Sequence, residues 1–222
     1  PLSGMSPSRQ LKQICKNTRY LYYKREQIYE KVRKNLREKG IWIKNNEELT
    51  DPEREVCFAY FRDVLLKQVS IRFLSGMDGL PELKNNQTVL MGKLDEGYYS
   101  IVSFPEEMPA LLALENGSTG FIGIRTPDVL MEFFDKWMLP FQAKEKLLLR
   151  ITRNAEFREG EEDELLKADF RSQIQKMLRE RSTQPPVRLE IRGDCTDSFR
   201  TELIAKFKIP KKHCFTTTAP LE

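Results

Sequence analysis

Long apolar runs are missing from this 222-residue sequence. None approaches the length of about 18 residues that a membrane-spanning helix needs, and no N-terminal stretch has the pattern of a signal peptide. Cysteine is scarce and scattered: Cys15, Cys57, Cys195 and Cys214 form no C-x-x-C pair. That argues against a zinc site or a disulfide framework and for free thiols in a reducing cytoplasm. Histidine occurs once, as His213, in the polar run Pro210-Lys211-Lys212-His213, with Cys214 directly after it and no serine or acid beside it. An exposed turn residue is favoured there over a catalytic or phosphate-accepting one. Phosphate-cradling glycines are lacking too, because such loops need close glycines before a helix N-terminus. Gly76-x-x-Gly79 runs into Leu80-Pro81, and Gly117-Ser118-Thr119-Gly120 leads into a strand, so both read as turns.

What is present is an ordinary globular composition, 40% hydrophobic and 32% charged, enough for one large domain or two small ones. The net charge of +4 is unevenly spread. Residues 9–39 hold eleven Lys/Arg and three Glu, a balance of +8, which leaves −4 for the rest. A basic helix of this kind is more often a solvated face than a polyanion surface. If it does meet a polyanion, Lys16, Lys24 and Lys31 are the candidate contacts. Tyr20, Tyr22, Tyr23 and Tyr29 are interleaved with these cations, as in some single-strand binders. The seven-residue step from Tyr22 to Tyr29 suits packing equally, and packing is favoured.

Ser6-Pro7 starts a helix, with a hydroxyl cap and a proline where the missing N–H costs nothing. Apolar or neutral positions from Leu11 to Leu36 recur at three and four, and Gly40 supplies the stop. The helix has about 32 residues and a length of about 50 Å, so part of it is expected to protrude or pair with a partner. Arg25 interrupts the stripe, against a strict coiled coil. Ile41-Trp42-Ile43 reads as a link. Thr50-x-x-Glu53 is a capping box opening a second helix to about Lys67, expected to fold back along the first. After the Gly76–Asn86 loop come strands at Thr88–Leu94, Tyr98–Ser103 and Gly120–Ile124, with 105–116 ambiguous between helix and loop. Thr126-Pro127-Asp128 starts a helix that Pro140 closes.

Residues 145–153 form an apolar strand. The acids of 159–164 precede or open a helix carrying Leu166, Phe170, Ile174 and Met177. Contiguous acids at a helix start suit its dipole better than a metal, whose oxygens must converge. Val187, Leu189 and Ile191 alternate with Arg188, Glu190 and Arg192, a half-buried strand. A helix from Thr196 and a strand over 214–218 complete the chain. The fold class expected is α+β: a long antiparallel helical arm over residues 1–75, then an α/β part over 76–222 whose C-terminal half runs β-α-β-α-β. No nucleophile–base pair, metal constellation or nucleotide loop is complete, which indicates a binding, scaffolding or accessory domain. The start at Pro1 and the stop at Glu222 predict a piece of a longer protein.

Thr152-Arg153-Asn154-Ala155, then Glu161–Leu166, then Val187-Arg188-Leu189-Glu190 resemble, in order, the middle part of bacterial polyphosphate kinase. Ser6-Pro7-x-x-Gln10-Leu11, Gln27-Ile28-Tyr29, Gly40-Ile41, Leu49-Thr50 with Arg54-Glu55, and Pro220-Leu221 extend the resemblance along nearly the whole chain. Residues 67–81, KQVSIRFLSGMDGLP, depart from the family's proline-rich segment, and 95–120 match poorly.

The resemblance implies an enzyme that transfers the terminal phosphate of ATP to polyphosphate through a phosphohistidine, with magnesium. It places the phosphohistidine in C-terminal domains and further ATP contacts in an N-terminal one. His213 does not match the phosphohistidine motif. This chain would be the head domain, catalytically silent and binding neither ATP nor Mg2+ alone. It would serve a homodimer or higher homo-oligomer and cover the active-site tunnel. Thr152, Arg153 and Asn154 are the candidate interdomain contact. The alternative is a basic module binding RNA or polyphosphate.

Overall fold

The computed structural model describes residues 4–117, 120–141, 143–154 and 184–221. Helix α1 (Pro7–Arg37) has 31 residues, and the Ser6 hydroxyl accepts the Arg9 N–H as its cap. Gly40 ends it at φ +77°, a left-handed conformation that glycine adopts without strain. The chain then enters β1 (Ile41–Lys44). The link read at 41–43 is therefore a strand, because a parallel partner some 80 residues later pairs with it. At Thr50 the capping box forms as expected, with Glu53 accepting from the Thr50 backbone and hydroxyl. It opens α2 (Asp51–Tyr60), which continues through a π-type turn (Phe61–Leu65) and a last turn (Leu66–Gln68).

Eight further strands and two helices follow among the described residues. They are β2 (Ser70–Leu74), β3 (Thr88–Leu94), β4 (Tyr99–Ser103), β5 (Leu111–Gly117), β6 (Gly120–Arg125), α3 (Thr126–Trp137), β7 (Ala143–Arg153), β8 (Pro186–Arg192), α4 (Asp197–Lys206) and β9 (Cys214–Thr216). Of the ambiguous stretch at 105–116, the first part is loop and the rest belongs to β5, the antiparallel partner of β6. The acidic helix expected after Glu159 lies outside the described residues.

Two sheets result, one ordered β1-β6-β5 and one ordered β2-β4-β3-β7-β8-β9. Both β1 and β2 come from the first 75 residues and join sheets completed by later strands. Pairing is antiparallel except between β1 and β6 and between β8 and β9. The central strands β3 and β7 are buried on both faces, which is why Leu147-Leu148-Leu149 reads as a continuous apolar run. Val89, Met91, Leu147, Leu149, Ile151, Leu189 and Ile191 face one way, onto Phe199 and Leu203 of α4. Leu90, Leu94, Val102 and Leu148 face the other, onto Phe61, Leu65, Leu130, Phe133 and Phe134. Gly92 permits the second contact: a Cβ there would lie 2.4 Å from the Phe134 ring and 2.8 Å from the Ser100 hydroxyl.

The second helix does not lie along the first. Phe58 meets Phe133 of α3 edge-on at 5.2 Å, Phe61 packs on it at a tilt at 5.4 Å, and Arg54 pairs with Glu132. Aromatic surface on α2 finds its best partner on α3, whereas the part of α1 nearest to it offers arginine. That part is tied instead to the turn before α2, where Arg33 and Arg37 both pair with Glu48. The chain is thus mixed α and β, a long N-terminal helix followed by sheets.

Candidate functional site

The exit of β7 carries the residues that mark the chain, and the structure turns them inward. Arg153 is buried. Its Nε and one Nη donate to the Leu83 carbonyl at 3.1 and 2.9 Å, and the other Nη donates to the Gln184 carbonyl at 2.6 Å. Its backbone N–H donates to Asn85 Oδ1 at 2.8 Å. The Thr152 hydroxyl donates to Asn86 Oδ1 and accepts two bonds from the Arg188 guanidinium. The Asn154 N–H donates to the Pro185 carbonyl. These bonds clamp the 83–86 loop and the start of β8 to the end of β7. Three of the five guanidinium N–H donors of Arg153 are thus committed to carbonyls in a buried setting, which turns the group away from a bidentate grip on an outside phosphate.

A second polar cluster lies beneath α1, and sequence reasoning missed it. Glu190 of β8 is 1% exposed. Arg150 on the adjacent strand donates to both its oxygens at 3.0 and 3.1 Å, and the Tyr22 hydroxyl of α1 donates at 2.5 Å. Arg188 and Arg25 stand 3.6 and 3.9 Å away. Burial, then the Glu190 carboxylate, push the Tyr22 phenol well above its ordinary range. The alternation of β8 correctly separates Arg188, Glu190 and Arg192 from the apolar side. That polar side is not solvent, however: α1 covers it at Glu190, and Arg192 pairs with the buried Asp128 of α3.

Further bonds seat α1 on the last strand and its surroundings. Arg25 donates to Thr217 Oγ1, Arg19 to the Lys212 carbonyl, and Glu26 accepts the Thr218 N–H. Tyr22 stacks on Phe215 at 4.9 Å, with Arg19 over the Phe215 ring and Arg25 over the Tyr22 ring. The packing role favoured for Tyr22 is therefore its role here. Ile14, Leu21 and Ile28 remain exposed along the outer side of α1.

Lys16, Lys24 and Lys31 are all exposed, and they do not converge. At 100° per residue Lys24 and Lys31 share the outer side of α1, whereas Lys16 lies nearer the edge that borders β9. Lys24 sits over the Tyr20 ring at 4.8 Å. His213 is half-buried, and its Nδ1 lies 3.0 Å from the Val187 carbonyl, so it ties its turn to β8.

Among the described residues no group of three or more His, Cys, Asp or Glu could hold a metal ion. Gly76 and Gly79 lead into a short turn and a loop, and Gly117 and Gly120 flank a hairpin. Among the described residues no helix is long and apolar enough to cross a membrane.

A family model described as the polyphosphate kinase middle domain matches residues 52–222. A polyphosphate kinase from Synechocystis sp. is 28% identical over 218 residues, covering 90% of this chain and 29% of the relative. One from Mycolicibacterium gilvum is 25% identical over 217 residues, covering 93% and 29%. The crystal structure of polyphosphate kinase from Porphyromonas gingivalis superposes with a TM-score of 0.67 at 13% identity, covering 95% of this chain and 31% of that one. At that identity the superposition speaks to fold alone. The chain thus spans about 29% of the length of these two curated relatives.

Proposed function

The chain belongs to the polyphosphate kinase middle-domain family, and on that premise we propose that it is the head domain of such an enzyme, serving assembly rather than chemistry. The observation that carries this is the family match over residues 52–222 in a chain that spans less than a third of its relatives. The parent protein in this reading is a cytoplasmic, bacterial transferase that moves the terminal phosphate of ATP to polyphosphate. Its N-terminal and C-terminal catalytic domains supply ATP, magnesium and phosphohistidine chemistry. The head domain helps to form a homodimer or higher homo-oligomer and covers the active-site tunnel. Thr152, Arg153 and Asn154 serve interdomain contact by holding the 83–86 loop in shape. The inward-turned donors of Arg153 support this, because they leave the loop as the surface a neighbouring domain would meet.

The test is phosphate transfer from labelled ATP by the 222-residue chain. No transfer is expected, and sedimentation should show weak dimerisation at most. Transfer by the chain itself would overturn the proposal.

A second reading, binding of RNA or polyphosphate through α1, is favoured by the exposure of Lys16, Lys24 and Lys31 on the strongly basic helix. It requires affinity that falls steeply with salt. Flat salt dependence, or binding unchanged when all three lysines become Glu, would exclude it.

A further inference from the structure

A groove of about 420 Å³ runs between α1, α4 and the turn that leads into β9. Each of these elements brings one cation to it: Arg19, Arg200 and Lys211. We propose that this groove binds an inorganic phosphate chain. The proposal rests on the polyanion reading and narrows it to one place and one ligand class.

The charge balance of the lining is positive. Glu26 is its one carboxylate, and an oxygen of that group already accepts the Thr218 N–H. Arg19 spends one Nη on the Lys212 carbonyl and keeps its other N–H groups. Arg200 is paired with Asp197, whose side chain is 90% exposed, so that pair is held weakly and can yield to a multivalent anion. Lys211 has no ion-pair partner among the described residues. Cys214 lies in the same wall as Arg200 and Arg19. Burial raises that thiol above its ordinary range, and the two guanidinium charges oppose the rise. The cations therefore converge on one volume.

The positive strip continues beyond the groove. Lys12, Lys16, Arg19 and Tyr23, spaced four, three and four apart, share one side of α1 over about 16 Å. An extended chain of several linked phosphates fits such a rail better than a single phosphate does.

The aromatic groups argue against a base-bearing polymer. Single-strand sites stack bases on open aromatic faces. Here Tyr22 and Phe215 stack on each other, with Arg25 over the Tyr22 ring and Arg19 over the Phe215 ring. Tyr23 is the one exposed aromatic of the lining, and a single ring is too few for successive bases to stack on.

The experiment is titration calorimetry of the 222-residue chain with inorganic tripolyphosphate at low and physiological salt. Arg19→Gln and Arg200→Gln are each expected to weaken binding by about tenfold or more, the loss of one charge-assisted contact. Lys24→Glu with Lys31→Glu should change it less than twofold. Arg200→Gln guards against a disturbed α1, because Arg200 makes no bond to that helix. Tripolyphosphate should also slow alkylation of Cys214 by neutral iodoacetamide at least threefold, read by mass spectrometry, and orthophosphate should slow it far less.

Loss of binding in the Lys24/Lys31 variant equal to that in the arginine variants would overturn the groove while leaving the polyanion reading intact. No tripolyphosphate binding at low salt would overturn both. An oligonucleotide that protects Cys214 better than tripolyphosphate at equal phosphate would overturn the choice of ligand.

Discussion

Replacing Glu190 by Gln should undock α1 before it unfolds the sheet. Glu190 is 1% exposed and accepts from Arg150, whose side chain is 11% exposed, and from Tyr22. The amide keeps the shape and removes the charge. Arg150 is then buried without its counter-ion, with Arg25 and Arg188 adding repulsion. Breaking one side of a buried ion pair costs about 3–5 kcal/mol. For a protein of this size that lowers Tm by roughly 6–20 °C. Tyr22→Phe keeps the ion pair and loses one hydrogen bond to a charge, about 1.5–3 kcal/mol. Because both act on one carboxylate, the double variant should fall short of the sum by about 1–2 kcal/mol. Thermal and denaturant unfolding followed by circular dichroism gives the four corners of the cycle. Hydrogen exchange then locates the loss: amides of α1 should exchange faster and those of β3 and β7 should not. A Glu190→Gln cost under about 1 kcal/mol, or strictly additive effects, would refute the reasoning.

Arg153→Lys should cost about 2–4 kcal/mol, since one ammonium cannot reach the Leu83 and Gln184 carbonyls together; denaturant midpoints check this. Gly92→Ala should cost about 1–3 kcal/mol by pushing Phe134 off β3, and a Phe134→Leu background should recover part of that loss. In acid, stability should decline as pH falls below 4.5, the ordinary glutamate value. Burial raises the carboxyls of Glu48, Glu53 and Glu202, but bonds to Asn45 and Arg37, to Lys44 and Thr50, and to Lys93 and Tyr99 lower them further. Their folded pKa values are therefore depressed, and their contribution, full above 4.5, is lost as pH falls through them. Titrating Tm from pH 6 to 3 reads this, and Glu48→Gln should flatten the slope. In alkali, burial and then the Glu202 carboxylate hold the Tyr99 phenol up at about 12. Its contribution is present below pH 10 and should be lost as pH rises from 10 through 12, an absorbance titration that Tyr99→Phe removes.

Local signals in the sequence predict the elements well where the cause is local. Ser6-Pro7, the Thr50–Glu53 box and the apolar run of β3 fold as their chemistry requires. β1 and β2 are not legible. β1 is four residues whose partner is remote, and β2 is an edge strand with Arg72 and Phe73 exposed, so neither alternates. The Thr152–Asn154 segment is legible as a mark but not as a clamp, because the carbonyl that Arg153 seeks lies 70 residues away. For β8 the alternation tells which residues share a face and is silent on what covers it. Burial of Glu190 follows from α1, whose docking no local pattern encodes.

That docking decides which of the basic groups on α1 act together. The helix is seated by directional bonds: Tyr22 to Glu190, Arg25 to Thr217, Glu26 to Thr218. Apolar contact alone would tolerate rotation about the axis, whereas a phenol hydroxyl 2.5 Å from a buried carboxylate fixes it. One residue of slip turns the helix by 100°, which would carry Arg19 away from Arg200 and bring a different side chain to the groove. The buried, negatively charged pivot under a positively charged helix thus sorts its cations. Lys12, Lys16 and Arg19 are held along the edge beside β9, and Lys24 and Lys31 are held outward. It follows that Tyr22→Phe, which touches no groove cation, should still weaken tripolyphosphate binding in proportion to the faster exchange of α1. Unchanged affinity alongside faster exchange would mean that the groove does not depend on how the helix is seated.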